Sequence, residues 1–145
     1  MSYKIIYKPE EKYRESIIEF IAKNERVNHP LTNTTLFNWF YLSKLKGEAN
    51  NNYSKKLNFV IALNNNLIVS ILGYYDVEFR IGIKIKNGIH LCFWLTSDNH
   101  KKGIGALLMK LLVDNNNVIA ALGASEMNKP ICKALDFKII NKIKK

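Results

Sequence analysis

Two glycines stand between a buried-strand pattern and an amphipathic helix pattern near the middle of the second half of the chain. The segment reads Leu95-Thr96-Ser97-Asp98-Asn99-His100-Lys101-Lys102-Gly103-Ile104-Gly105-Ala106. Backbone N–H groups at a helix start have no partner within the helix and carry partial positive charge. Because glycines allow an anion to approach those groups closely, we predict a pyrophosphate site here, with Lys101 and Lys102 adding charge. A plain tight turn is the alternative interpretation.

Hydrophobic spacing and turn residues predict the elements that position this segment. The predicted strands are residues 3–7, 58–63, 67–75, 89–95, 118–122 and 137–143. Helices are predicted to begin at Pro9, at Thr34 or Thr35 (continuing through Leu45) and after the two glycines. A fourth, short helix is predicted at residues 130–135. Residues 76–86 receive no assignment. This order of elements predicts a single mixed α/β domain over residues 1–145.

Two local patterns sharpen the prediction for the sheet. Asn64-Asn65-Asn66 separates two apolar strand patterns, and asparagine tolerates a positive φ, so we predict a hairpin turn there. Residues 89–95 form a continuous apolar run, which is typical of a strand in the centre of a sheet. Simple alternation along that strand would place His90, Cys92 and Trp94 on one face.

The composition indicates a globular protein in a reducing compartment. The chain has 145 residues, 48% of them hydrophobic, which is enough for one domain with a sizeable core. No apolar run is long enough to cross a bilayer, and the first residues show no signal peptide pattern, so we expect a cytoplasmic protein without membrane insertion. The two cysteines are too few for a disulfide framework or a metal cluster, so no metal site is predicted.

A formal net charge of +10 raises the question of a nucleic-acid partner. The lysines are spread along the chain, without an arginine cluster or a basic helix. We therefore prefer an anionic small molecule as the reason for positive charge near the glycines. Coenzyme A, with its phosphates, is one such molecule.

The glycine segment resembles a known family motif. His100-Lys101-Lys102-Gly103-Ile104-Gly105 is similar to the acetyl-CoA motif of the GCN5-related N-acetyltransferases, Gln/Arg-x-x-Gly-x-Gly/Ala. Residues 125–137 resemble the next element of that family, Asn-x-x-Ala-x-x-x-Tyr-x-x-x-Gly-Phe. The resemblance implies a mainly antiparallel sheet with a splayed central strand and helices on both faces. It also implies acetyl-CoA (acyl-CoA) as cofactor. Its cofactor-binding residues would be Leu95, Thr96, Ser97, His100, Lys101, Lys102, Gly103, Ile104, Gly105, Ala106 and Ser125.

The sequence departs from the family where the catalytic acid is expected. Cys132 falls where many members carry a tyrosine, so it would be either the proton donor to the leaving thiolate or an inert core residue. The implied mechanism is attack of a neutral amine on the thioester, with a backbone N–H near Leu95 stabilising the oxyanion. His90 and Glu126 are the candidate bases. For His90 the alternative is a packed strand histidine, and for Glu126 it is a charge that favours a helix start.

The early helices of the family commonly line the acceptor site, which makes His29, Trp39 and Tyr41 the candidate substrate-binding residues. Asn28-His29-Pro30-Leu31 followed by Phe37-Asn38-Trp39 is similar to a subgroup associated with surface-polysaccharide and amino-sugar biosynthesis. This similarity implies a small amine acceptor, such as an amino-sugar nucleotide. Packing of Trp39 and Phe40 in the core is the simpler explanation for at least one of the two.

The family usually ends in a strand hairpin, whereas this sequence stops after the first strand of that pair. We therefore expect an N-terminal piece of a longer protein, or a homodimer that joins open sheet edges. Two other functions remain open. One is a CoA-binding regulatory domain without catalysis, and the other is a basic nucleic-acid-binding module.

Overall fold

The computed structural model of the chain describes residues 3–42, 55–98, 103–121 and 129–138. The strands are β1 (Lys4–Tyr7), β2 (Phe59–Asn64), β3 (Leu67–Ile81), β4 (Lys84–Thr96) and β5 (Ile119–Ala121). The α-helices are α1 (Arg14–Asn24), α2 (Thr34–Tyr41), α3 (Ile104–Asp114) and α4 (Lys129–Ala134). Short 3-10 turns at Glu11–Tyr13 and Pro30–Thr32 precede α1 and α2.

The five strands form one sheet in the order β1-β2-β3-β4-β5. The first four are antiparallel to their neighbours, and β5 runs parallel to β4. The pairing of β5 with β4 covers only Ile89 to Leu91, although β4 continues to Thr96. The predicted fold class, a mixed and mainly antiparallel sheet with helices, is confirmed.

Helices cover both faces of this sheet, and each face has its own apolar core. The α1–α2 cluster consists of Ile17, Phe20, Ile21, Leu31, Phe37, Tyr41, Leu57, Phe59, Ile61, Leu63 and Ile71. The α3 cluster consists of Val60, Ala62, Val69, Leu72, Tyr74, Ile89, Leu91, Ile104, Leu108, Met109 and Leu112. Successive residues of β2 alternate between the two clusters, which explains why that strand is a continuous apolar run.

The hairpin turns differ in how well the sequence predicts them. Asn65 and Asn66 both have positive φ, at 50° and 63°, which confirms the turn between β2 and β3. The unassigned residues 76–86 form a second hairpin, because β3 continues to Ile81 and β4 begins at Lys84. From Tyr75 to Arg80 half-buried and exposed side chains alternate, and the sequence shows the same apolar–polar alternation, so the strand pattern was present although the prediction left it unassigned.

A β-bulge in β4 reverses the expected alternation of side chains. Gly73 lies opposite Phe93 while Tyr74 lies opposite Leu91, so Cys92 is an extra residue in β4. Leu91 and Trp94 consequently both pack on the α3 cluster, and Phe93 packs on the α1–α2 cluster. The prediction that His90, Cys92 and Trp94 share a face is therefore wrong for Trp94.

The described helices end close to the predicted positions, with one difference. The second helix stops at Tyr41 rather than Leu45, and Leu42 forms an isolated bridge to Leu57. The α2 helix starts where predicted because the Asn33 side chain accepts a hydrogen bond from the Leu36 N–H at 3.1 Å. None of the helices in the described ranges has the length and apolar character needed to span a bilayer.

The C-terminal predictions are tested only in part. Residues 129–134 are helical as predicted, and the Phe137 N–H donates to the Cys132 carbonyl at 3.0 Å after the helix ends. Phe137 and Lys138 are not in a strand, and the rest of the predicted last strand lies outside the described residues.

Candidate functional site

The start of α3 presents backbone donors without a capping side chain. Gly103 is the N-cap residue, in a left-handed conformation with φ 100°, and its carbonyl accepts from the Leu107 N–H at 3.1 Å. The N–H groups of Ile104, Gly105 and Ala106 precede that first helical bond, so helix geometry leaves them without an intrahelical partner. No acidic residue occupies the first turn. This arrangement suits an anion.

Gly105 has a packing role that the sequence did not indicate. A Cβ atom at this position would lie 2.7 Å from the Trp94 Nε1 atom and 3.2 Å from the Thr96 Oγ1 atom. The absence of a side chain therefore lets the first turn of α3 rest directly on the end of β4. Ile104, only 3% exposed, anchors the same turn in the α3 cluster.

Gly103 meets a different requirement. A Cβ atom there would meet none of the described residues within 4 Å, so the described part of the chain sets no limit of space. The positive φ is the constraint, because a side chain in this backbone region is strained. The two glycines thus act separately, one through backbone conformation and one through close approach of helix and strand.

The predicted cofactor residues at the end of β4 are tied to β3. The Thr96 hydroxyl lies 2.7 Å from the Ser70 hydroxyl, and the Ser97 N–H donates to the Val69 carbonyl at 2.9 Å. Alternation along an antiparallel ladder then directs the Leu95 N–H toward β3 as well. The same alternation directs the N–H groups of Trp94 and Thr96 to the side of β4 that faces away from β3. The described pairing with β5 ends at Leu91, before these two residues.

Several predicted residues lie outside the described part of the chain. These are the proposed phosphate-side residues His100, Lys101, Lys102 and Ser125, and the candidate base Glu126.

A cleft of about 390 Å³ opens on the α2 side of the sheet, beside the bulge of β4. It is lined by His29, Pro30, Leu31, Leu36, Phe40, Tyr41, Tyr75, His90, Leu91, Cys92 and Phe93. Three residues predicted from separate parts of the sequence, His29, Tyr41 and His90, meet in this cleft. Trp39 does not line it: its side chain is 64% exposed and contacts Phe40 edge-on.

His90 is the most unusual polar group in the cleft. Both of its ring nitrogens are buried and have no hydrogen-bond partner among the described residues. Its ring stacks on Tyr75, with centroids 5.0 Å apart and planes 11° apart. The ring lines the cleft but its nitrogens are not exposed there, so a bound molecule would reach one of them only after a movement of the ring.

His29 is held differently from His90. Its Nδ1 atom accepts a hydrogen bond from the Leu31 N–H at 3.1 Å, which caps the 3-10 turn at Pro30–Thr32. Its ring meets Phe93 edge-on at 5.4 Å. His29 therefore positions the wall of the cleft.

Tyr41 and Cys92 are neutral near pH 7. Burial raises the pKa of Tyr41 far above its ordinary value, and the neighbouring Cys92 and Tyr75 add to the effect. Desolvation between the cleft walls raises the pKa of Cys92 to about 12, although part of its surface is exposed and a hydrogen bond from the Tyr75 backbone opposes the shift. Alternation along β4 had already placed Cys92 on the same face as His90, and both residues line the cleft.

Cys132 lies on α4 as a buried thiol and is not among the residues that line the cleft. Burial raises its pKa. A thiol that holds its proton more tightly than usual is a weaker acid toward a thiolate leaving group. These properties fit a core residue better than a proton donor.

Comparison with known proteins shows which solved structures share this fold. The sequence matches no protein-family model and no curated protein. A predicted acetyltransferase from Clostridium acetobutylicum, crystallised with acetyl-CoA, is similar over 99% of this chain and 94% of its own, with 17% identity and a TM-score of 0.61. The chain has the acetyltransferase fold.

Two further structures support that statement. An integron cassette protein of V. cholerae is similar over 100% of this chain and 91% of its own, with 18% identity and a TM-score of 0.63. AAC(6')-Iy, in complex with a bisubstrate analogue of CoA and acetylneamine, is similar over 99% of this chain and 95% of its own, with 9% identity and a TM-score of 0.68. At these identities the likeness concerns the fold.

Proposed function

We propose that the chain transfers an acetyl group from acetyl-CoA to a primary amine. The observation that carries this proposal is the uncapped start of α3, seated on the end of β4 through Gly105, in a fold shared with an acetyl-CoA complex. The N–H groups of Ile104, Gly105 and Ala106 would hold the pyrophosphate, with Lys101 and Lys102 supplying positive charge.

When bound, acetyl-CoA supplies the activated carbonyl carbon that the amine attacks. The N–H groups of Trp94 and Thr96 are the donors in β4 that point away from β3, and we assign oxyanion stabilisation to that side of the strand. With this assignment, the negative charge that develops on the carbonyl oxygen would lie between the α3 start and the cleft.

We assign the role of base to His90. Its ring lines the cleft beside the bulge, and its buried nitrogens have no hydrogen-bond partner among the described residues, so a small rotation of the ring would let one of them accept the proton that the amine loses. Glu126, which lies outside the described residues, remains the other candidate.

The acceptor would enter the α2-side cleft, between His29, Tyr41 and His90. The amino-sugar acceptor predicted from the loop around His29 is one member of the amine class to be tested there. AAC(6')-Iy provides a precedent for an amine-bearing acceptor in this fold.

The test is CoA release from acetyl-CoA in the presence of an amine panel, for the unaltered chain, His90→Gln and Cys132→Ala. We expect His90→Gln to lower kcat by about 100-fold with little change in melting temperature, as loss of a general base does. Cys132→Ala is the matched control and should retain kcat within about threefold if the thiol only fills the core.

Three results would overturn parts of the proposal. Equal kcat for His90→Gln and the unaltered chain would remove His90 as the base. CoA binding without release on any amine would favour the regulatory domain. Steeply salt-dependent binding to DNA or RNA, without CoA binding, would favour the nucleic-acid module.

A further inference from the structure

The walls of the cleft have a chemistry that restricts the acceptor. Among the described lining residues there is no Asp, Glu, Lys or Arg. The lining consists of aromatic rings and aliphatic side chains, with imidazole, phenol and thiol groups as its polar side-chain atoms. A cleft of this composition binds apolar surface well and offers few partners for hydroxyl groups.

The rings form ordered surfaces rather than a loose collection. Tyr75 and His90 stack nearly parallel, at 11° with centroids 5.0 Å apart, so a further ring could extend the stack only on an outer face of the pair. His29 meets Phe93 at 63° with centroids 5.4 Å apart, which is the edge-to-face arrangement that aromatic pairs favour. A planar apolar group of an acceptor could stack on the Tyr75–His90 pair or meet the His29–Phe93 pair edge-on.

The polar atoms of the cleft point to one amine rather than to many hydroxyls. The two ring nitrogens of His90 have no hydrogen-bond partner among the described residues, and one of them would pair with a single nitrogen group once a movement of the ring exposes it. Tyr41 and Cys92 have raised pKa values, so neither supplies an anion to a polycationic acceptor. Hydroxyl groups brought into these walls would lose water without gaining equivalent hydrogen bonds, which weakens binding.

We propose that the preferred acceptor is a primary amine carried on a flat, apolar body of about one aromatic ring, as in an arylalkylamine. This inference rests on the proposed acetyl transfer and names its acceptor class. The step forms the amine N–C bond and breaks the thioester C–S bond. One amine proton moves to His90, and the departing CoA thiolate is protonated through a water molecule as His90 releases that proton, so His90 and the water are regenerated.

The test compares phenylethylamine with glucosamine as acceptors, by the rate of CoA release from acetyl-CoA. We expect kcat/KM to favour phenylethylamine by at least about tenfold, the scale of discrimination that apolar pockets achieve. Phe40→Ala, which removes a ring from the cleft, should lower kcat/KM for phenylethylamine by about tenfold and leave glucosamine nearly unchanged.

Trp39→Ala is the matched control, because its ring is the sequence neighbour of Phe40 but lies outside the cleft. It should leave both acceptors within about twofold of the unaltered chain. Melting temperatures of both variants identify any loss of folding, and the acceptor ratio of the unaltered chain tests the inference even if Phe40→Ala fails to fold.

The inference and the proposed function fail in different ways. A kcat/KM for glucosamine equal to or above that for phenylethylamine overturns the acceptor class while acetyl transfer stands. CoA binding with no calorimetric binding of phenylethylamine to the CoA-bound chain also overturns the acceptor class. Absence of acetyl-CoA binding and of CoA release with either amine overturns the proposed function itself.

Discussion

The two faces of the sheet carry two candidate sites, one formed by backbone groups and the other by side chains. On the α3 face, the proposed cofactor site consists of backbone N–H groups, a glycine with positive φ and a glycine packed against Trp94. On the α2 face, the cleft consists of side chains from the Pro30–Thr32 turn, α2, β3 and β4. The first face requires particular backbone geometry, whereas the second requires particular side chains.

This difference explains how one fold accommodates different acceptors. A backbone cradle would tolerate His100 in place of the Gln or Arg of the acetyl-CoA motif that the segment resembles, because the proposed donors do not belong to that side chain. The cleft has no such tolerance, since replacing a wall residue such as Phe40 or Tyr75 changes the surface that an acceptor meets. Cofactor use is therefore expected to be general, and acceptor choice specific to this chain.

The largest effect that separates the faces should come from Gly105→Ala. The added Cβ would lie 2.7 Å from the Trp94 Nε1 atom, so the helix start or the indole must move. We expect a loss of about 1–3 kcal/mol in the free energy of unfolding from overpacking. We also expect acetyl-CoA affinity to fall by about 100-fold, which corresponds to about 2.7 kcal/mol. Thermal unfolding and calorimetric titration measure the two quantities.

Trp94→Phe provides the control for this substitution, because it removes the indole nitrogen that the new Cβ would meet. In the Gly105→Ala, Trp94→Phe double variant, part of both losses should be recovered. Strictly additive effects would show that Gly105 does not act through contact with Trp94.

A smaller effect is expected from Gly103→Ala, and Gly82→Ala is its matched control. Both glycines have positive φ, 100° and 63°, and an added Cβ would meet none of the described residues within 4 Å. Each substitution should therefore cost about 1–2 kcal/mol of stability from backbone strain. Only Gly103 lies at the α3 start, so only its variant should lose acetyl-CoA affinity.

Equal loss of acetyl-CoA affinity in the two variants would mean that affinity follows global stability. The helix start would then have no special part in binding. Unchanged affinity in Gly103→Ala would place the phosphate site elsewhere.

The smallest effect concerns the buried tyrosines, one on each face. Burial raises the pKa of Tyr41 in the α1–α2 cluster and of Tyr74 in the α3 cluster above the ordinary value. A raised pKa in the folded state means that the stability contributed by the neutral phenol is complete below about pH 10 and is lost as pH rises further. The loss should be at most about 1.4 kcal/mol per pH unit for each tyrosine.

Tyr41→Phe and Tyr74→Phe should each reduce this alkaline loss, measured as the slope of the free energy of unfolding between about pH 10 and 11. If both variants lose stability as steeply as the unaltered chain, ionisation of these two phenols does not drive alkaline unfolding.

The sequence predicted the α3 face better than the α2 face, for a physical reason. The cradle is local: a strand, a polar loop, two glycines and a helix follow one another, and turn chemistry and periodicity reveal them. The cleft is not local, since His29, Tyr41 and His90 are brought together only by tertiary packing. Those three residues were predicted individually, but their common cleft could not be.

Two specific features were beyond sequence reasoning. The bulge at Cys92 changes which side chains of β4 share a face, and no residue type in that part of the strand indicates a bulge. Trp39, which looked suited to an acceptor site, lies outside the cleft because Phe40 takes the inward position.

The most direct test of the central claim is a calorimetric titration of the chain with acetyl-CoA and CoA, beside ATP at the same ionic strength. The account predicts micromolar binding of acetyl-CoA and CoA, weaker binding of ATP, and loss of the acetyl-CoA signal in Gly103→Ala but not in Gly82→Ala. A well-folded chain that binds neither acetyl-CoA nor CoA, or that loses binding equally in the two glycine variants, would contradict the assignment of the α3 start as the cofactor site.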